Sequence, residues 1–138
     1  AGKVTQLEEK ARESYSAEEL AKTDATFPYT IVLKKSEPLL WAWGWCAKDD
    51  ATLEDNLAKL KVEFSLNGEP VTLEQFASLS YPTDDGMSCF AYFAQVTDFA
   101  GGEHHLVTDV TFTGPVNDGS ATYPAGQQVY DYAIFVKP

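Results

Sequence analysis

The sequence predicts a mainly β fold, an antiparallel β-sandwich with a short N-terminal helix and one short helix between strands. Three observations predict it. From Phe27 onward, apolar residues recur at every second position along most segments, which is the period of a half-buried strand. These runs are separated by loops rich in Gly, Pro, Asn and Asp, with few helical interruptions. The 138 residues, 44% hydrophobic and 22% charged, suit one soluble domain large enough to bury a core. No apolar run approaches the roughly 20 residues that a membrane helix needs.

Residues 1–26 differ from the rest. They hold many charges and few large apolar groups. Ser16-Ala17-Glu18-Glu19 is a capping-box pattern and predicts a helix over about 17–23. The segment reads as a tether or as a helix lying on the body, and its low hydrophobicity favours the tether. The chain therefore divides into an N-terminal segment, 1–26, and a β domain, 27–138.

Phe27, Tyr29, Ile31 and Leu33 mark one face of the first strand, and Glu37-Pro38 breaks it. Leu39 to Ala47 is a second strand, in which Gly44 hints at a bulge. Lys48 to Thr52 opens a short helix, with Asp50 or Thr52 as cap and Leu53, Leu57 and Leu60 at helical spacing. Leu60, Val62, Phe64 and Leu66 alternate in a third strand, and Asn67-Gly68 is a strong hairpin signal. Val71 and Leu73 begin a return strand, Gln75–Ser80 reads as irregular, and Tyr81–Gly86 reads as a turn-rich loop. Ser88–Phe99 is a long apolar strand. His104, Leu106, Val110 and Phe112 mark the next, residues 114–119 form a loop, and Gln128 to Val136 alternate in the last strand. The expected core is Ile31, Leu33, Phe64, Leu66, Val110, Phe112, Tyr132 and Ile134. Phe99-Ala100-Gly101-Gly102 is echoed 24 positions later by Tyr123-Pro124-Ala125-Gly126, which helps set the register of the strands that follow.

Ten basic residues stand against 21 acidic ones, for a net charge of −11. That balance excludes a nucleic-acid partner, since phosphate backbones are gripped by Lys and Arg. Between Lys61 and Lys137 there is no Lys or Arg, while ten carboxylates occur. They read as a solvated acidic surface, or as a surface for calcium or a cationic partner.

The chain begins Ala1-Gly2 without an initiator Met, which suggests a processed form. Cys46 and Cys89 lie 43 positions apart in two apolar strands, without metal-ligand spacing. They read as a disulfide joining two strands across a core, or as two buried thiols. The even count and the acidic, secreted-looking composition favour the disulfide and an extracytoplasmic location. In the chain-entropy model a loop of that length adds about 4 kcal/mol.

Few residues carry chemistry. The sequence holds no phosphate loop, dinucleotide fingerprint, H-E-x-x-H, C-x-x-C or G-x-S-x-G. His104 and His105 are adjacent on a strand, so their side chains point to opposite faces. Asp84 and Asp85, and Asn117 and Asp118, lie in loops where they are weak calcium candidates and also ordinary turn residues. The most informative residues are Trp41, Trp43 and Trp45, whose spacing puts three indoles on one strand face, spanning about 13 Å. Exposed, they would form a binding face that stacks on sugar rings or packs on a protein. Buried, they would form core, and burial of at least two is favoured.

Tyr123-Pro-Ala-Gly-Gln-Gln-Val-Tyr-Asp-Tyr132 resembles the approach to the last strand in immunoglobulin-like and fibronectin-like domains of bacterial surface or secreted proteins. Phe99-Ala-Gly-Gly-Glu-His-His-Leu106 resembles a similar approach to an earlier strand. The resemblance spans residues 27–138 in pattern. It implies an immunoglobulin-like β-sandwich outside the cytoplasm, without a catalytic role or cofactor. In antibody domains a Trp lies between the paired cysteines, whereas here all three precede Cys46. The reading that results is a non-catalytic extracytoplasmic binding or structural domain on a surface or periplasmic scaffold, with a protein or glycan partner. One alternative is a carbohydrate-binding module using the Trp41, Trp43 and Trp45 face. A further alternative is a small metal-dependent hydrolase using His104 or His105.

Overall fold

The computed structural model describes residues 5–6, 15, 19, 22–34, 37–96 and 101–137. Among them the strands are β1 (Thr5–Gln6), β2 (Ala25–Leu33), β3 (Leu39–Ala47), β4 (Leu60–Leu66), β5 (Glu69–Val71), β6 (Ala77–Pro82), β7 (Ser88–Val96), β8 (Gly102–Phe112), β9 (Val116–Asn117), β10 (Thr122–Tyr123) and β11 (Gly126–Val136). One α-helix, α1 (Asp50–Ala58), joins β3 to β4. A four-stranded sheet has the order β1-β3-β7-β6, a five-stranded sheet β2-β11-β8-β4-β5, and β9 and β10 form a small ribbon.

The alternation seen in the sequence becomes the core. Phe27, Tyr29, Ile31 and Leu33 of β2 are buried, while the residues between them face solvent. Seven of the eight expected core residues are buried, and Leu66 is half-buried, at the hairpin end of β4. Both large sheets contribute to one core. Trp41 on β3 meets Phe64 on β4, Trp45 meets Phe112 on β8, and Tyr92 on β7 meets Phe64.

Most strand pairs are antiparallel, but β2 runs parallel to β11 and β1 parallel to β3. A parallel pair needs a long connection between its strands. For β2 and β11, the first and last long strands, all the intervening elements serve as that connection. Asn67 and Gly68 turn β4 into β5 with positive φ at both residues (49° and 84°), as a two-residue hairpin requires. The echoed glycines, Gly102 and Gly126, open β8 and β11, which pair antiparallel along their whole lengths. Gly126 has a φ of 147°, and a Cβ there would lie 3.0 Å from Thr23 Cβ, so this turn favours glycine.

Four expectations change. The helix is capped by Asp49, which accepts from the Thr52 backbone N–H at 2.8 Å, not by Asp50 or Thr52. Leu60 opens β4, because the backbone leaves the helix at Lys59. Gly44 causes no bulge, since the register runs unbroken from Leu39 opposite Val96 to Ala47 opposite Ser88. Residues 77–82, expected to be irregular or loop, form β6.

Of the expected helix over 17–23, Glu19 is helical, Lys22 and Thr23 are not, and the other positions lie outside the described residues. The N-terminal segment meets the body at several points. Thr5 and Gln6 pair with β3, and Tyr15 packs edge-on against Phe27 and Tyr29. The Tyr15 hydroxyl donates to the Pro28 carbonyl at 2.8 Å.

Phe112 is 2% exposed, packed against Trp45 and Tyr123. Phe112→Ala is expected to destabilise the fold by about 3–5 kcal/mol in urea unfolding. A loss below about 1 kcal/mol would show that the cavity had collapsed or that the ring packs elsewhere.

Candidate functional site

The three indoles of β3 point into the core, and Trp41, Trp43 and Trp45 are 2%, 7% and 9% exposed. Burying an indole strands its N–H unless an acceptor is built beside it. Trp41 Nε1 donates to Thr108 Oγ1 at 3.0 Å, and Trp45 Nε1 donates to Asn56 Oδ1 at 2.9 Å. Asn56 in turn donates to the Asn117 carbonyl at 2.9 Å. The indoles therefore present no solvent-facing row, and an exposed stacking platform for sugar rings is not what these residues build. The physical reason is the alternation of β3. Its other face carries Leu40, Ala42, Gly44 and Cys46, too little apolar volume to make the core instead.

A small cavity of about 250 Å³ lies beside this row, lined by Trp43, Trp45, Tyr123, Tyr130 and Tyr132 with Thr108 and Gln128. Several of its polar groups are already engaged. Gln128 Nε2 donates to the Lys22 carbonyl at 2.8 Å, and the Tyr130 hydroxyl donates to Gln128 Oε1 at 2.9 Å. Burial pushes the Tyr123 phenol above its ordinary pKa, so it stays neutral. This cavity is smaller than the roughly 300–1,000 Å³ of ligand pockets and offers few free polar handles.

Cys46 and Cys89 are joined by a disulfide. It does not cross the core. The two residues sit directly opposite each other on neighbouring strands of one sheet, with Cα atoms 4.1 Å apart. Because Cys46 alternates with the indoles, the bridge lies on the other face of β3.

The histidines do separate to opposite sides. Asn67 Nδ2 lies 3.1 Å from His104 Nδ1. His105 sits between two carboxylates, with Nε2 2.5 Å from Glu103 Oε2 and Nδ1 3.2 Å from Asp131 Oδ1. These hydrogen bonds, Glu103 first, raise the His105 pKa above its ordinary value. Among the described residues no group of three or more His, Cys, Asp or Glu is placed to hold a metal ion. The calcium candidates lie in two separate turns. Asp85 accepts from the Thr83 hydroxyl, and Asp118 Oδ1 caps the Ser120 and Ala121 backbone N–H groups at 2.8 Å. Asn117 Oδ1 accepts from the Gly119 N–H at 2.8 Å, while Asp84 is exposed. The oxygens of Asp85, Asn117 and Asp118 thus act as turn-building acceptors.

A surface the sequence reading missed lies where β4 and β5 face β7. Between the two large sheets is a half-open apolar hollow of about 570 Å³, with Leu57, Val62, Val71, Leu73, Phe90 and Tyr92 on its walls. Leu73 is 41% exposed, and on nearby β6 Leu79 and Tyr81 are 53% and 37% exposed. A second hollow between α1 and β6 shares Leu57 and includes Ser80, Tyr81 and Pro82. The signal was present in Ala77-Ser-Leu-Ser-Tyr81, whose serines alternate with apolar residues at strand period.

No family model matches the chain, and no curated protein matches it. Several solved structures are similar to it, among them the following three. PbICP-C, solved in complex with falcipain-2, is 11% identical over 99% of this chain and 100% of its own, with a TM-score of 0.45. The cysteine protease inhibitor EhICP2 from Entamoeba histolytica is 11% identical over 81% of this chain and 96% of its own, with a TM-score of 0.36. Amebosin is 10% identical over 81% of this chain and 96% of its own, with a TM-score of 0.31.

Two tests follow from this geometry. Asn56→Ala removes the acceptor for Trp45 Nε1 and is expected to lower stability by about 1–3 kcal/mol in urea unfolding, because a buried donor is left unpaired. An unchanged midpoint would mean that another group takes the indole N–H. The second test is the histidine titration. Glu103 and Asp131 favour the imidazolium of His105, so its folded-state pKa lies above the unfolded value. The resulting stabilisation is fully present below about pH 6.5 and is lost as pH rises through the folded-state pKa. NMR titration is expected to place the His105 midpoint above that of the unfolded chain. The stability difference between the natural protein and His105→Gln is expected to shrink as pH rises through that midpoint. A constant difference would show that the carboxylates do not act through charge.

Proposed function

We propose that this chain is a non-catalytic, extracytoplasmic binding domain of immunoglobulin-like sandwich form, and that its partner is a protein. The observations that carry the reading are the half-open apolar hollow with exposed Leu73 on its wall and, on the outer face of β6, exposed Leu79 and Tyr81. In a chain of net charge −11, an apolar concavity and exposed apolar side chains on a neighbouring edge strand mark surfaces for a partner. The sandwich form is supported by the shared core, in which indoles of one sheet meet rings of the other. The extracytoplasmic location is supported by the disulfide, which persists where thiols are oxidised. No helix among the described residues is long and apolar enough to cross a membrane.

The test is site-specific photo-cross-linking. A photoreactive phenylalanine analogue at Leu79 is compared with the same group at Val32, which is 55% exposed on the other sheet. Incubated with extracytoplasmic proteins from the source cells, the Leu79 probe is expected to give a discrete protein adduct that the Val32 probe does not give. Equal labelling at both positions, or none at Leu79, would overturn the reading.

A further inference from the structure

The edges of the two large sheets are guarded unequally. In the five-stranded sheet, edge strand β2 carries Pro28 in its middle, and the other edge, β5, is three residues long and contains Pro70. Such prolines and short lengths discourage an incoming strand. In the four-stranded sheet β6 lies at the edge, six residues long and exposed throughout. Its sequence Ala-Ser-Leu-Ser-Tyr-Pro has no charge and a proline only at the last position. Phe76, just before it, stacks on Phe64 with ring centroids 4.0 Å apart, so the strand is anchored at its start.

The register says which backbone groups point outward. Cys89 approaches Cys46 with Cα atoms 4.1 Å apart, the close spacing of a pair that does not exchange backbone hydrogen bonds. Cys89 therefore turns its N–H and C=O toward its other neighbour, Tyr81 of β6. Alternation along β6 then leaves the N–H and C=O of Ser78 and Ser80 aimed at the free edge. The side chains of these serines lie on the core side, opposite Tyr92 and Phe90, which wall the hollow. A strand laid along β6 would place alternate side chains on the side of Ser78 and Ser80, where the hollow between α1 and β6 includes Ser80, and the others beside exposed Leu79 and Tyr81.

We propose that β6 binds its partner by strand addition, accepting an extended basic segment with apolar residues at alternate positions. This rests on the protein-binding reading above and specifies its mode. Main-chain hydrogen bonds to Ser78 and Ser80 supply register, and exposed Leu79 and Tyr81 with the hollow between α1 and β6 select the apolar side chains. Charge selects the class of segment. Exposed Glu74 precedes β6, exposed Asp84 and Asp85 follow it, Asp50 and Glu54 line the hollow between α1 and β6, and Lys61 on the neighbouring hollow is paired with Glu63 at 3.7 Å. A second copy of this chain, also of net charge −11, would place the same acidic flanks against these, so the occupant is a cationic segment of another protein.

The experiment uses the full chain and a synthetic peptide of alternating valine and threonine flanked by lysines. Controls are the same composition in scrambled order and a version flanked by glutamates. The alternating lysine peptide is expected to bind, with binding weakened by salt, and to protect the Ser78 and Ser80 amides from hydrogen exchange. Ser80→Pro keeps the pairing with β7, because that N–H faces away from it, and is expected to weaken binding about tenfold through the lost edge hydrogen bond. Ser80→Lys, which retains the N–H, provides a second variant through edge charge if the proline variant does not fold. Unchanged affinity in a folded Ser80 variant, equal binding of the scrambled peptide, protection at other amides, or no peptide binding would overturn strand addition. So would a peptide-free dimer that protects the same amides, since the occupant would then be a second copy. A discrete Leu79 adduct alongside any of these failures leaves the protein-binding reading standing; loss of both the adduct and peptide binding removes that reading too.

Discussion

The burial of three indoles on one face of a single strand constrains the rest of this molecule. Trp41, Trp43 and Trp45 put a large apolar area on one face of β3, and that face turns inward. Two of the buried N–H groups then require acceptors. Thr108 supplies one from β8 of the facing sheet, and Asn56 supplies the other from α1. These two hydrogen bonds tie the four-stranded sheet to the five-stranded sheet and to the helix. Asn56 reaches further, to the Asn117 carbonyl of β9, so the β9–β10 ribbon between β8 and β11 is positioned through the same network. A buried polar network of this kind favours one packing arrangement over others, because any slip leaves donors unpaired.

The same constraint shapes the surface. With the indole face inward, the disulfide falls on the opposite face of the sheet and staples β3 to β7. β7 then carries Phe90 and Tyr92 on the core side, toward the flank where the sheets part and the hollow opens. β6 follows as the outermost strand, with serines on its core side in place of bulky groups. The aromatic wall is therefore screened only by small side chains at that edge. The charged groups that usually protect such an edge lie before and after β6 rather than within it. An acidic surround beside an uncharged, apolar strand edge gives both a recognition element and a charge preference.

Much of the architecture was legible in the chain. The alternations in β2, β4, β8 and β11 identified their buried faces, because strand period is a local property that survives into the fold. Asn67-Gly68 marked the β4–β5 hairpin for the same reason: its backbone conformation is dictated by the residues themselves. The echoed glycines at positions 102 and 126 also marked real strand starts. Strand β6 escaped notice because it is short, polar on one side and interrupted by nearby turn residues. Its extended form depends on pairing with β7 rather than on its own propensity.

What the sequence determined by itself was which residues belong together on a face, since a period of two needs no partner to define it. It determined that Trp41, Trp43 and Trp45 share one side and that Cys46 takes the other. It did not determine which side is covered. That was decided in the tertiary structure, where Thr108 and Asn56, 67 and 11 positions from their indoles, supply the acceptors that make burial of two N–H groups tolerable. The parallel placement of β2 against β11, the sheet-internal position of the disulfide and the exposed edge of β6 were likewise decided by pairings between distant segments. Backbone hydrogen-bond partners are chosen among whole strands competing for the same edges, and no local stretch of sequence carries that information.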